Sequence, residues 1–135
     1  MSEENVELVR QAFARAGPQD LAEVARTFWD PDIVYVEDPR WPGAGRYEGR
    51  DAVLRCFQAY MEALGPEDAV SVTVERIHDA GRHPVPFVRF QGRSASGVPH
   101  EHLWAYLVET RGRRIVYVRA YYEPEEASEA AGLAV

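Results

Sequence analysis

Cysteine is almost absent from this chain of 135 residues: Cys56 stands alone. No internal disulfide can form, and no cysteine-based zinc site can be built. Basic residues are also short, 15 against 22 acidic ones, for a formal net charge of -7. That excludes the basic patch a nucleic-acid surface needs and a polybasic contact with a membrane. No run reaches the ~18–20 apolar residues of a membrane-spanning helix. The first ten residues, MSEENVELVR, are acidic and lack the charged-then-apolar pattern of a signal peptide. The expectation is a cytoplasmic protein that engages neither nucleic acid nor membrane.

What remains is a globular composition, 46% apolar and 27% charged, which argues against wholesale disorder. The length suits one ordinary domain over 1–135. Residues 4 to 16 read as a helix, with Val6, Val9, Phe13 and Ala16 at spacings of three and four. Gly17-Pro18 breaks it. A second helix starts near Asp20, a candidate N-cap, and carries Leu21, Val24, Ala25 and Phe28 on one face. Asp30-Pro31-Asp32 ends that helix and leads into a strand, Ile33 to Val36.

The strand exits through Glu37 and Asp38, Pro39 stops it, and a Pro/Gly-rich loop follows with Trp41 and Tyr47. A carboxylate at such an exit, beside aromatic residues, is a place for a shifted pKa. Desolvation would raise Asp38 and make it a better base; the other reading has Asp38 capping the loop amides. Asp51 to Leu64 forms the third helix, buried along Val53, Leu54, Phe57, Met61 and Leu64. Cys56 within it reads as a small core residue rather than a nucleophile.

From residue 70 the period drops to two. Strands are expected from Val70 to Val74, Val85 to Gln91, Pro99 to Glu109 and Arg114 to Tyr122, with turns at Asp79-Ala80-Gly81, Ser94 to Gly97 and Arg111-Gly112. On the long strand His102, Trp104, Tyr106 and Val108 share one face and Leu103, Ala105 and Leu107 the other. Pro124 suits the first position of a short acidic helix, Glu125 to Ala131, stopped by Gly132. Helices first and strands grouped after them indicate α+β rather than a βαβ fold.

This order, together with Val36-Glu37-Asp38-Pro39, Tyr47-x-Gly49-Arg50, Val98 to Tyr106, Arg119-x-Tyr121 and the tail Glu129 to Leu133, resembles the nuclear transport factor 2-like superfamily. Within it the chain is similar to the SnoaL-like, ketosteroid isomerase-like group of small bacterial proteins. The resemblance implies a cone-shaped antiparallel or mixed sheet wrapped around three N-terminal helices, a cystatin-like α+β roll. It also implies a pocket between sheet and helices for a small apolar ligand, and a homodimer through the outer sheet face. It implies no cofactor and no metal.

In steroid isomerases of the group the Asp of the Glu-Asp-Pro motif moves the proton, and Asp38 holds that position. Their oxyanion donors fall here on Phe13 and near His102 or Trp104. No Asp lies in the last three strands to complete an epoxide-hydrolase set. Cyclases and dehydratases use an Asp with His and Tyr, a set closer to Asp38 with His100, His102, Tyr35 and Tyr122. The resemblance therefore implies a cofactor-independent isomerase, cyclase or dehydratase. Asp38 and His102 would be catalytic, and Phe13, Tyr35, Trp41, Phe57, Phe90, Trp104 and Tyr122 would line the pocket. A binding module of the same fold without catalysis is the alternative. His100-x-His102 as a metal pair with His78 or Asp38, and Arg89, Arg93 and Arg119 as anion binders, are lesser readings.

Overall fold

Two faces of one sheet are covered by different parts of the chain, and the alternation along β5 explains why. The computed structural model describes residues 2–79 and 83–133. The elements are α1 (Ser2–Ala14), α2 (Leu21–Phe28), β1 (Trp29–Val36), β2 (Arg46–Glu48), α3 (Arg50–Leu64), β3 (Ser71–Asp79), β4 (Pro84–Arg93), β5 (Pro99–Arg111), β6 (Arg114–Tyr121) and α4 (Pro124–Leu133). A short 3-10 turn, Glu67–Ala69, separates α3 from β3.

The sheet is mixed, six-stranded and open, in the order β2-β1-β6-β5-β4-β3. β3 to β6 form an antiparallel meander. β1 joins it parallel to β6, because the chain returns through α3 before the meander begins. Register shifts at Val74/Arg76, at Glu109/Thr110 and between Trp29 and Val34 bend the strands, as bulges do. The concave face receives α1, α2 and α3. Val9, Phe13, Val24, Phe28, Val53, Phe57 and Met61 pack there on Ile33, Tyr35, Phe90, Trp104, Tyr106 and Val108.

The convex face carries a second, smaller core. Ala127 and Ala131 of α4 seat on Val85, Ala105 and Leu107. Period two sends Ala105 and Leu107 outward while Trp104, Tyr106 and Val108 face in. Ala105 and Leu107 on the outward side of β5 are thus covered by the chain's own last helix, while Leu103 stays partly exposed. Arg76 lies over Phe87 and Arg119 over Tyr121 on this side.

Local differences from the sequence reading have identifiable causes. Asp30-Pro31-Asp32 lies inside β1 rather than before it, at the register shift, where a Pro is tolerated. Residues 46–48, expected as loop, form β2 on the edge beside β1; three residues are too few to show a period. Asp20 occupies the N-cap of α2, but its side chain makes no cap hydrogen bond. Gly132 does not stop α4, which continues to Leu133. Ala80 and Gly81 of the expected turn lie outside the described residues.

Two glycines allow α3 to end against β4. Gly65 has φ 147°, and a Cβ there would stand 2.2 Å from the Arg93 carbonyl oxygen. A Cβ on Gly92 would stand 2.4 Å from the Leu64 carbonyl oxygen. Backbone rather than a movable side chain blocks both. Gly92→Ala is expected to destabilise the fold by about 1–3 kcal/mol, the usual range for overpacking. A urea midpoint equal to that of the unchanged chain would show that the approach is looser than this.

Candidate active site at the mouth of the cone

Asp38 is the most tightly bound carboxylate of the described residues. It is 2% exposed. Oδ1 accepts the Arg40 backbone N–H at 2.9 Å and Arg40 Nε at 3.0 Å. Oδ2 accepts Arg40 Nη2 at 2.8 Å and the Tyr122 backbone N–H at 2.9 Å. Arg40 reaches on to Glu126 of α4. The expected raised pKa is therefore reversed. The Arg40 guanidinium holds the carboxyl well below the usual range, against the opposing effect of burial, and the two backbone N–H groups add to it. The loop-capping reading describes this geometry; the base reading does not.

Glu37 precedes it and is held by different partners. It shares the inward side with Tyr35, as period two requires, and both line an inner chamber with Asp38, Trp41, Cys56, Phe57, Tyr60, Trp104 and Tyr106. Oε1 accepts the Gly45 backbone N–H at 3.0 Å, and Oε2 faces Cys56 Sγ at 3.8 Å. Burial, and then the Glu37 charge, push the Cys56 thiol up to about 12. Cys56 therefore stays a thiol and a donor, which fits the expectation that it is no nucleophile. It is half-buried at the wall of the chamber rather than deep in the core.

On the opposite wall stands a hydrogen-bonded chain. Trp104 Nε1 donates to Tyr60 Oη at 2.9 Å, and Tyr60 Oη lies 2.6 Å from His102 Nδ1. An indole N–H can only donate. The phenol accepts from Trp104 and has its own hydrogen to give to Nδ1; in that tautomer the imidazole proton sits on Nε2. That N–H has no protein partner among the described residues. Burial, with a smaller contribution from His100, holds His102 below its ordinary 6.5, so it is neutral at pH ~7. Burial also raises Tyr60, which keeps it protonated as the donor.

The free space is unevenly divided. The inner chamber holds about 20 Å³, room for about one water. A second, apolar chamber of about 20 Å³ lies deeper, walled by Phe13, Phe57, Phe90 and Trp29 among others. At the mouth is an open cleft of about 360 Å³ lined by Glu37, Trp41, Tyr47, Cys56, Tyr60, His100 and His102.

The structure thus brings Trp41 and His102 to the cleft and Tyr35, Asp38, Phe57 and Trp104 to the inner chamber. Phe13 and Phe90 are deeper, and Tyr122 backs Trp104, ring on ring at 4.6 Å. Tyr60 and Glu37 were missed as site residues. Tyr60 follows Phe57 by three and Cys56 by four, so it shares their helix face. Arg89 is paired with Glu75 and Glu101, Arg93 with the Gly97 carbonyl, and Arg119 lies over Tyr121; none lines the cleft. Among the described residues no group of three or more His, Cys, Asp or Glu side chains is placed to hold a metal ion.

No family model matches the chain, and no curated protein matches it in sequence. Solved structures match it along nearly its whole length. Bal32a, from a soil-derived mobile gene cassette, superposes with a TM-score of 0.74 at 16% identity, covering 95% of this chain and 96% of its own. A protein from Jannaschia sp. CCS1 proposed to be a SnoaL-like polyketide cyclase gives 0.71 at 18% identity, covering 96% and 92%. TerC, co-crystallised with polyporic acid, gives 0.70 at 14% identity, covering 95% and 98%. The chain has the nuclear transport factor 2-like fold. No helix among the described residues is long and apolar enough to cross a membrane.

Both shifted groups make the fold acid-sensitive. The unfolded chain takes up the His102 proton first, so stability starts to fall as pH drops below about 6.5. Asp38 stabilises fully above its ordinary 3.8, and that contribution is lost as pH falls toward its depressed folded value. Urea unfolding across pH should show the upper loss vanish in His102→Gln and the lower one in Asp38→Asn. Asp38→Asn should also cost about 1.5–3 kcal/mol at neutral pH, the range for hydrogen bonds to a charged group. An unaltered acid limb in Asp38→Asn would remove the clasp from the account.

Proposed function

We propose that the chain binds a small ring-bearing carbonyl compound at the mouth of the cone and moves a proton next to the carbonyl without a cofactor. The observation that carries this is the Trp104–Tyr60–His102 chain. With the Tyr60 hydrogen on Nδ1 the imidazole is neutral and its Nε2–H meets no protein group among the described residues, beside a cleft whose carboxylate is Glu37. A donor already in place stabilises negative charge developing on the substrate oxygen. Glu37 takes the proton from carbon, and the Gly45 N–H and Cys56 S–H steady it as it does so. Asp38 anchors the loop rather than acting as base. Isomerisation, ring closure and loss of water all begin with this step. The Jannaschia protein and TerC lend the reading support from the same fold.

The test is exchange of the α-protons of 2-tetralone in deuterated buffer, followed by proton NMR. The protein should accelerate it, Glu37→Gln should lose a factor of ~10²–10⁴, and His102→Gln should lose heavily too. Exchange no faster than in buffer, with the compound still bound, would leave a binding module of the same fold.

A homodimer through the outer sheet face also belongs here as a proposal. Leu103, Tyr117 and Phe87 remain partly open on that face, while α4 occupies Ala105 and Leu107. Light scattering should give a dimer at micromolar concentration, and a persistent monomer would end this reading.

A further inference from the structure

The inner chamber has room for one water, yet a small-molecule pocket needs roughly 300 Å³ or more. Four residues line both the chamber and the cleft: Glu37, Trp41, Cys56 and Tyr60. Glu37 is held at the exit of β1, and Cys56 and Tyr60 sit on α3. Glu37 is the first residue past β1, and Trp41 lies farther out, within the loop between β1 and β2.

Its indole stands steeply against three rings, Trp104 at 5.6 Å, Tyr60 at 5.8 Å and His102 at 6.1 Å, and is tilted on Tyr122 at 6.2 Å. It fills the gap between them. Trp104 is pinned by its hydrogen bond to Tyr60, but the Trp41 indole has no hydrogen bond among the described residues and is half-buried. Ring contacts alone retain it, and these are replaceable by another ring. The backbone beneath it is fixed. Trp41 N–H donates to the Asp38 carbonyl, Ala44 N–H donates to the Trp41 carbonyl, and Asp38 ties the loop base to Tyr122. The side chain can therefore turn without the loop unfolding.

We propose that Trp41 is the gate and specificity-determining residue of the site: the ligand enters by displacing the indole, and the ring-lined slot it vacates selects a flat aromatic bicycle of indole size. The slot is as thin as the indole that fills it, so a puckered ring of the same volume is rejected. With the indole aside, cleft and chamber become one space, and a seated ring reaches Glu37, Tyr60 and His102 together. The inference rests on the preceding reading only in taking the cone mouth as the ligand site.

The probe is 2-naphthol, followed by its own fluorescence in titration and stopped flow, with the saturated, puckered trans-2-decalol as competitor. One naphthol should bind per chain, and decalol should compete at least about tenfold more weakly. Trp41→Ala should raise the association rate about tenfold or more at equal or tighter affinity, because the opening step no longer limits the competent population. Trp41→Phe should fall between. An unchanged association rate with weaker binding in Trp41→Ala makes Trp41 a wall and overturns the gate. So does absence of naphthol binding to the unchanged chain, or equal competition by decalol. Tetralone exchange separates the two readings. Exchange that persists when the gate fails keeps the proton-transfer function, and gating without exchange keeps the gate alone.

Discussion

The clasp on Asp38 is the constraint from which the rest of the site takes its shape. One buried carboxylate gathers four donors from two places, Arg40 beside it in sequence and Tyr122 at the exit of β6. Through Arg40 it extends to Glu126 on the helix that covers the outer face. A buried charge is tolerated only when it is paired and its lone pairs are used. Both conditions hold here, so the loop base cannot drift from the sheet. The parallel β1–β6 pair ends at this clasp, and the ring cluster at the mouth is built on top of it.

Two carboxylates adjacent in sequence therefore have opposite parts. Asp38 is consumed by structure, and its ionisation is driven far from neutral pH. Glu37 keeps one oxygen on a backbone amide and turns the other toward a thiol in the cleft wall. On the facing wall two ring residues and an imidazole are hydrogen-bonded in a line, and its outer end lies at the cleft. A hydrogen-bonded line of this kind holds its members in place.

The order of elements was legible because periods of 3.6 and of two are local properties. The helix faces of α1, α2 and α3 and the inward set His102, Trp104 and Tyr106 follow from spacing alone, and the structure places them so. Of the aromatic residues expected around a pocket, Phe13 and Phe90 line a deeper chamber than the polar groups. Asp38 was singled out for a raised pKa, and the structure reverses that direction. Burial was visible in the apolar strand before it, but Tyr122, 84 residues away, was not visible as a partner, and Arg40 had no visible direction.

What the sequence determined by itself is therefore the fold class, the inward face of each element and the loop where polar and aromatic residues meet. These depend on periodicity and on turn residues a few positions apart. Only the tertiary structure decided which carboxylate is clasped by a guanidinium and which faces a thiol. It also decided that Tyr60 of α3 links two β5 side chains, and that α4 covers the outward face of β5. Each of these is a contact between segments distant in the chain. Such contacts set the dielectric, the hydrogen-bond partners and the free volume around a group, and no local pattern of residues carries that information.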